Sequence, residues 1–314
     1  MALLGIDLGG TKLCFAIFDE SGTLLNKEVI ALKNRNSAEV GNIITTQILK
    51  LINSNIHPIH SIGICVPGIY RIKTGTVWAP NIPGWDDYRL LAEVKKVSKK
   101  IPVTIDSDRA CYILGEAWQG NAKECNDAIF LAVGTGIGAG IMINGTILRG
   151  SNDIAGAIGW LALTRPFSDE YLHCGCFEYY ASGEGIAKIA RKILKETKEY
   201  SGELSSKSVA QITSHDVFTA YENNDPLAKK IIEIGIEFWG MAVANLVSLF
   251  NPEKIILGGG VFGPATKLIP QIKTEATKWA QPISIKQVSL EASALGSDAG
   301  VYGAGFLALK NSIS

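Results

Sequence analysis

Short apolar runs separated by glycine-rich turns open the chain. LLGIDL is followed by Gly9-Gly10, and a second apolar run extends from Leu13 to Phe18. Apolar runs of this length bounded by glycine predict buried strands joined by a turn. The pattern returns at 128–145, where AIFLAV, GTGIG and AGIMING follow one another. This recurrence predicts an internal duplication, with one α/β domain in each half of the chain.

In the rest of the chain, segments whose apolar residues recur with the period of a helix alternate with short apolar runs typical of strands. We predict helices over about 37–53, 109–118 and 226–250, with Asp225 as N-cap and Pro226 as first residue of the third. Strands are predicted at 61–66, 102–106 and 254–259, and a last helix near the C-terminus. This alternation predicts an α/β fold with largely parallel sheets. We place the domain boundary between 117 and 118, with the helix from about residue 300 packing back on the first domain.

Composition narrows the class of protein. The 314 residues are 47% hydrophobic and 19% charged, and 30 basic residues balance 30 acidic ones. Because the charges balance, the composition gives no reason to expect nucleic acid or an anionic membrane as a partner. The uncharged stretch 129–148 is long enough to cross a bilayer, but its glycines favour two buried strands. Without a recognisable signal peptide, and with cysteines too sparse for a disulfide framework, we expect a cytoplasmic protein.

Glycine clusters after three strands point to phosphate binding. They are Gly9-Gly10, Gly134-Thr135-Gly136 and Gly258-Gly259-Gly260. Glycine lets backbone N–H groups approach an anion closely. The chain has neither a G-x-x-x-x-G-K-[ST] motif nor a G-x-G-x-x-G turn that opens a helix, which disfavours P-loop and Rossmann sites.

Three aspartates at strand ends add candidate chemistry. Asp7 precedes the first glycine turn, where it can hold Mg²⁺ through water or simply cap the turn. Asp106 and Asp108 follow another strand. One of them is a candidate helix N-cap and the other a candidate general base.

Several motifs, in order, make the chain resemble the ROK family of sugar kinases, within the actin-like ATPase and hexokinase superfamily. The resemblance extends from Gly5 to about Leu309. The matching segments are GIDLGGTK (5–12), VPGIYRIKTGTVWAPNIPGW (66–85), DSDRACYILGE (106–116), GTGIGAGIMINGTILRGSNDIAGAIGW (134–160), EYYASG (178–183), NPEKIILGGGV (251–261) and ALGSDAG (294–300). The resemblance implies two actin-like (ribonuclease H-like) α/β domains with a central cleft, and assembly as a homodimer.

The same resemblance implies roles for individual residues. Asp108 is the catalytic base, because it precedes Glu116 of the L-G-E triplet by the family spacing. The sugar-binding set implied is Gly68, Asn81, Ser107, Asp108, Trp160 and Glu178. The ATP-binding set implied is Asp7, Gly9, Gly10, Thr11, Lys12, Gly134, Thr135, Gly136, Gly258, Gly259 and Gly260.

The implied reaction is ATP-dependent, Mg²⁺-requiring phosphorylation of a hexose or hexose derivative at its primary (C6) hydroxyl. Asp108 takes the hydroxyl proton, and the glycine loops stabilise the phosphoryl charge. The first phosphate loop begins at residue 5, so we expect an enzyme rather than a ROK repressor. The alternative is a sugar- or nucleotide-binding sensor on the same scaffold without turnover.

Two positions depart from the family pattern A-G-E-x-G-H. Ala157 and Trp160 replace the glutamate and the histidine that usually contact hydroxyls around C1 and C2. If Trp160 covers an apolar sugar face or a substituent, we expect the substrate to be a sugar modified near C1 or C2, or another hexose-like compound, rather than plain glucose. Alternatively, Trp160 fills a hole in the core and the sugar contacts are fewer.

The segment HCGC, residues 173–176, suggests a metal site at first sight. Family members use the missing histidine and three cysteines to bind structural zinc, and only His173, Cys174 and Cys176 remain as weak candidates. Structural zinc requires four ligands, so we predict no zinc. If the segment is extended, Cys174 and Cys176 share one side and His173 points away.

Overall fold

The computed structural model describes residues 1–32, 37–197 and 200–313. The chain divides into two compact units. The first comprises Met1–Glu124, Ile147–Ala155 and Ser293–Ser314, and the second Cys125–Thr146 and Gly156–Ala292. The boundary predicted at 117 lies close to the first crossing. Residues 147–155 and 293–314 also belong to the first unit, so one boundary in the sequence does not separate the two units.

The elements occur in the following order. The strands are β1 (Ala2–Leu8), β2 (Lys12–Phe18), β3 (Leu24–Ala31), β4 (Ile59–Val66), β5 (Ile69–Arg71), β6 (Thr76–Trp78), β7 (Val103–Ser107), β8 (Ala128–Val133), β9 (Ile137–Ile143), β10 (Thr146–Ile147), β11 (Lys254–Gly258) and β12 (Ser289–Ala292). The helices are α1 (Ser37–Ser54), α2 (Leu90–Ser98), α3 (Asp108–Gln119), α4 (Cys176–Ala181), α5 (Gly183–Glu196), α6 (Ser214–Glu222), α7 (Pro226–Phe250), α8 (Ile269–Thr277), α9 (Ser284–Gln287) and α10 (Ala299–Ile313). Short 3₁₀ turns lie between them, including Ile158–Trp160 and Asp169–His173.

The first unit is built on a sheet of order β3-β2-β1-β4-β7, with a separate β5-β6 hairpin. β1 and β4, and β4 and β7, are parallel, whereas β1-β2 and β2-β3 are antiparallel. The sheet is therefore mixed rather than largely parallel, because the opening hairpin supplies its antiparallel side. Residues such as Ile6, Leu8 and Ile64 pack into the core with α1 and α2.

Helix α10 packs closely on this sheet and on α3 because glycines stand at the contacts. A Cβ on Gly63 would lie 1.8 Å from the carbonyl oxygen of Ala304, and one on Gly303 would lie 1.9 Å from that of Cys111. No side chain fits at such distances, so the backbones touch directly. The packing brings Gly300, in the first turn of α10, against the carboxyl end of β1.

The second unit repeats this plan, with sheet order β10-β9-β8-β11-β12. β8-β9 is antiparallel, and β11 is parallel to both β8 and β12. The apolar stretch at 129–148 forms these strands, which confirms the prediction made for it. The repeated hairpin-and-parallel arrangement agrees with the predicted duplication.

Helix α7 forms much of the second unit's core. It begins as predicted: the Asp225 carboxylate accepts the N–H groups of Leu227 and Ala228, each at 2.9 Å, and Pro226 follows as first residue. Of the described residues, only this helix is long and apolar enough to span a bilayer. Most of that apolar stretch is buried within the protein, as in a core helix.

Candidate active site

The first glycine loop connects β1 to β2 and is open to solvent. The N–H of Gly9 donates to the carbonyl of Lys12 at 2.9 Å, which closes the turn and leaves Gly10, Thr11 and Lys12 exposed. Asn81 lies beside it, since a Cβ on Gly10 would be 3.7 Å from the Asn81 Cβ. The structure thus brings one predicted sugar-binding side chain to the predicted phosphate loop.

Asp7 lies in a row of polar and thiol side chains that crosses the sheet. It is in register with Cys65 on β4, and Cys65 is in register with Asp106 on β7. A Cβ on Gly300 would lie 2.7 to 2.9 Å from the Asp7 carboxyl atoms, so α10 packs directly on that group. Burial raises the pKa of Asp7. The hydrogen bond with the Cys65 thiol and the positive charge of Lys12 partly oppose this rise.

Asp108 is the first residue of α3 and is half-buried. Its Oδ1 accepts the N–H of Arg109 at 2.7 Å. Burial raises its pKa from 3.8 to about 6, Arg109 opposes the rise, and Asp7 adds to it. A carboxylate with a pKa near neutrality can take a proton in catalysis and still be ionised at physiological pH. Arg109 also reaches the carbonyl of Gly68 at 3.4 Å, which connects another predicted sugar-site residue to this helix.

Neither Asp106 nor Asp108 caps α3, so the N-cap alternative is wrong. Ser107 occupies the N-cap position and makes no capping bond with its side chain. Asp106 is almost completely buried and pairs with Arg149 instead. The Ser107 hydroxyl accepts the N–H of Tyr70 at 3.2 Å, which leaves its own proton to be donated elsewhere.

Two residues that motif reasoning left without a role turn out to organise the first unit. Arg149 neutralises Asp106, and the fully buried Glu116 accepts bonds from the segment that leads into α10. A signal for Arg149 exists in the sequence: an aspartate at the end of an apolar strand requires a cation when it is buried.

In the second unit, Glu178 joins the second glycine loop to the turn that carries Trp160. Its Oε2 accepts the N–H of Ile137 at 2.6 Å. A Cβ on Gly136 or on Gly159 would lie only 2.8 or 3.0 Å from the same oxygen. Burial raises the pKa of Glu178, and the Ile137 bond and Lys188 lower it in part. Oε2 of Glu178 therefore accepts a backbone hydrogen bond, and the second carboxylate oxygen is the candidate acceptor for a sugar hydroxyl.

The second and third glycine clusters lie together in this unit. A Cβ on Gly259, whose φ is +89°, would be 2.4 Å from the carbonyl oxygen of Val133, the residue before Gly134. The N–H of Gly183, at the start of α5, donates to the carbonyl of Gly134 at 2.7 Å. Gly134 and Gly260 face open space, and Thr135 is exposed. The second and third predicted nucleotide-binding loops are thus neighbours in the second unit.

The segment HCGC is not extended, so the shared side expected for its cysteines does not exist. His173 ends a 3₁₀ turn and Cys176 begins α4. Cys176 is buried in the core, whereas Cys174 is half-buried. In the part of the chain that the structure describes, no group of three or more His, Cys, Asp or Glu side chains is placed to hold a metal ion.

Trp160 does not fill a core hole, and that alternative is wrong. The residue is 58% exposed. Its backbone is fixed, because a Cβ on Gly175 would lie 2.6 Å from its Cα, and Glu178 packs on the preceding Gly159. A large aromatic side chain on a rigid turn, exposed beside Glu178, suits recognition better than packing.

Comparison with known proteins identifies the family. The ROK family model matches residues 3–311. The chain belongs to the ROK family. A glucokinase of Halalkalibacterium halodurans is 34% identical, over 97% of this chain and 94% of that protein. A xylose repressor of Caldicellulosiruptor bescii is 31% identical, over 82% of this chain and 65% of that protein. ROK relatives thus include proteins named for catalysis and for repression.

A solved ROK structure provides the comparison of fold. It is a ROK family glucokinase from Streptomyces griseus in complex with glucose and AMPPNP, 28% identical, with a TM-score of 0.77. The match covers 99% of this chain and 100% of that one. This chain therefore has the ROK sugar-kinase fold, with two actin-like α/β domains.

Proposed function

We propose that this ROK protein is an ATP-dependent carbohydrate kinase that phosphorylates the primary hydroxyl of a hexose or hexose derivative. The observation that carries the proposal is Asp108, a half-buried carboxylate with a pKa of about 6 in the same unit as the first glycine loop. A protein that only binds sugar needs no base of this kind. The similarity to a glucokinase over nearly the whole chain supports the same reaction class.

In the proposed mechanism, Asp108 accepts the proton of the sugar hydroxyl as that oxygen attacks the γ-phosphorus of ATP. The bond from the γ-phosphorus to the β,γ-bridging oxygen breaks, and ADP leaves. Backbone N–H groups of the Gly9–Lys12 loop and of the Gly134–Gly136 loop stabilise the charge on the phosphates, and Gly258–Gly260 lines the adenosine. Asn81, Gly68, Ser107 and the free oxygen of Glu178 orient the sugar.

A magnesium ion is the metal that this chemistry requires, and the donor chemistry of Asp7 fits it. Mg²⁺ usually takes one or two carboxylates and completes its shell with water and substrate phosphates. A single buried carboxylate beside a phosphate loop is such a donor, and a cation there offsets the cost of its buried charge. When bound, the ion neutralises charge on the β- and γ-phosphates.

The role of Asp108 predicts the acid limb of the pH profile. We expect kcat/KM for the sugar, at saturating Mg·ATP, to be level above about pH 7 and to fall about tenfold per pH unit below about pH 6. The sign follows from the base, which is inactive once protonated. Initial rates from pH 5 to 9 test this. A profile that stays level down to pH 5 would contradict the assignment.

We also propose that Trp160 determines which sugar is accepted. An exposed indole can stack on an apolar sugar face or cover a substituent at C1 or C2, whereas a histidine there would donate a hydrogen bond. Ala157, where the family pattern has a glutamate, has a much smaller side chain. The preferred substrate is then a hexose modified near C1 or C2 rather than plain glucose.

Trp160→His is the test of this specificity. We expect kcat/KM for a C1- or C2-substituted hexose, relative to glucose, to fall by about tenfold. The melting temperature should hardly change, because the side chain is mostly exposed. Trp279→His is a matched control, since Trp279 is 64% exposed in the same unit and lies far along the chain on α8's C-terminal side. Equal selectivity in wild type and Trp160→His would refute the proposal.

The proposed function is tested by ADP release from Mg·ATP over a panel of hexoses, amino sugars and glycosides. The expected result is sugar-dependent ADP formation with a marked preference within the panel. Ligand-induced stabilisation by a sugar and by ATP without any turnover would instead support a non-catalytic sensor.

A further inference from the structure

We propose that Arg149 is a positioning residue that holds the base Asp108 in place through the carboxylate of Asp106. The role rests on the proposed kinase function. Among the described residues, the Arg149 side chain donates its hydrogen bonds to Asp106, which is not one of the groups assigned to the sugar or to ATP. It acts on the end of the strand from which Asp108 projects.

The contact between Arg149 and Asp106 is a bidentate ion pair. Nη1 donates to Oδ1 at 2.6 Å, and Nη2 donates to Oδ2 at 2.5 Å. The Asp106 side chain is only 2% exposed, and that of Arg149 is 32% exposed. Two parallel N–H···O bonds fix both the position and the plane of a carboxylate, which a lysine cannot do.

The same carboxylate controls the backbone that leads to Asp108. Oδ1 of Asp106 also accepts the N–H of Ser107 at 2.8 Å. The Ser107 hydroxyl in turn accepts the N–H of Tyr70. β7 ends at Ser107, and α3 begins with Asp108. A rotation of the Asp106 carboxylate would therefore be transmitted through one residue to the base.

Arg149 is itself anchored by its own segment, 147–155. The N–H of Ala155 donates to the Arg149 carbonyl at 3.0 Å, which closes the segment into a loop. The Asp153 carboxylate accepts the N–H of Ile72 at 3.1 Å, which ties the loop to the residue that follows β5. The guanidinium thus approaches Asp106 from a loop held at both ends rather than from a free side chain.

This geometry predicts a loss of turnover without a loss of binding. Small displacements of a catalytic group lower rates by up to about 100-fold. We expect Arg149→Lys to lower kcat about 10- to 100-fold, with KM for sugar and for ATP within about threefold of wild type. Asp106→Asn, which keeps the shape of the side chain but removes its charge, should behave in the same way.

The experiment measures kcat, both KM values and the melting temperature for wild type, Arg149→Lys, Arg149→Gln, Asp106→Asn and the double variant Asp106→Asn/Arg149→Gln. The control is Arg71→Gln, because the Arg71 side chain pairs at the surface with Asp87 (3.0 Å), in the same unit, whereas the neighbouring Tyr70 and Ile72 join the proposed chain of contacts through their backbone N–H groups alone. If Arg149 acts through Asp106, the double variant loses no more kcat than the worse single variant. Arg71→Gln should keep its kcat.

The outcomes separate this role from the function on which it rests. Wild-type kcat in Arg149→Lys, or fully additive losses in the double variant, would overturn the role while leaving the kinase assignment intact. A kcat loss that only matches a loss of folded protein would overturn it as well, and the melting temperatures reveal that case. A wild-type protein without sugar-dependent ADP release would overturn the function and the role together.

Discussion

Asp108→Asn should lower kcat by about 1000-fold, the usual scale for losing a general base. Asparagine has the same shape as aspartate and can still accept the Arg109 N–H, so the start of α3 should keep its geometry. The amide cannot take the hydroxyl proton. We therefore expect KM values near those of the wild type and a large loss confined to turnover.

The same substitution should leave the fold at least as stable, which separates chemistry from misfolding. The pKa of Asp108 rises from 3.8 to about 6 on folding because burial disfavours its charge. A raised acid pKa means that stability falls as the pH increases from about 4 to about 6 and stays lower above that. At pH 8 this cost is at most about 3 kcal/mol, and Asp108→Asn removes it.

The control for this variant is Asp87→Asn. Asp87 is exposed, and its side chain pairs only at the surface with Arg71. The expected change in kcat for the control is less than about twofold. Substrate-dependent ADP release that survives in Asp108→Asn would show that another group is the base.

Glu116→Ala should destabilise the first unit by about 3–5 kcal/mol. The Glu116 carboxylate is fully buried. Its oxygens accept the Ser293 hydroxyl at 2.5 Å, the Asn121 N–H at 2.8 Å and the Leu295 N–H at 3.2 Å. Alanine would leave these donors without their acceptor and would leave a cavity. The effect should reach Asp7, because the segment from Ser293 leads into the helix that packs on it.

Urea unfolding measures this effect. Glu116→Gln, which keeps one acceptor oxygen but turns an NH₂ group toward N–H donors, should lose an intermediate amount. Glu93→Ala is the comparison for an exposed glutamate on a helix and should stay within about 0.5 kcal/mol of wild type. A loss below about 1 kcal/mol in Glu116→Ala would show that water replaces the carboxylate without cost.

The strands, the long helices and the duplicated plan could be predicted from periodicity and glycine turns. Helix α7 begins where Asp225-Pro226 indicates, because a capping carboxylate and a proline act locally. The mixed character of the sheets was not predicted. It depends on which strands become neighbours, and strand pairing is a long-range property that local periodicity does not encode.

Site residues could be predicted where a local motif determines the backbone conformation. They could not be predicted where the contact joins residues far apart in the sequence. Glycine loops could be found because glycine is needed for close approach, as at Gly136 beside Glu178. Arg149 and Asp106 are 43 residues apart, and only the folded first unit shows that they pair. The packing of Gly175 on the backbone of Gly159 and Trp160 likewise joins two segments of the chain, and only the folded second unit shows it.

The measurement that tests the central proposal most directly is ³¹P NMR of the purified protein with Mg·ATP and its best sugar from the panel. The γ-phosphate signal should be replaced by signals of ADP and of a phosphate monoester, and ¹H–³¹P correlation should join that phosphorus to the protons on C6. Asp108→Asn, examined in parallel, should show unchanged ATP over the same period. Release of inorganic phosphate alone, or a monoester formed equally fast by Asp108→Asn, would contradict the proposed kinase mechanism.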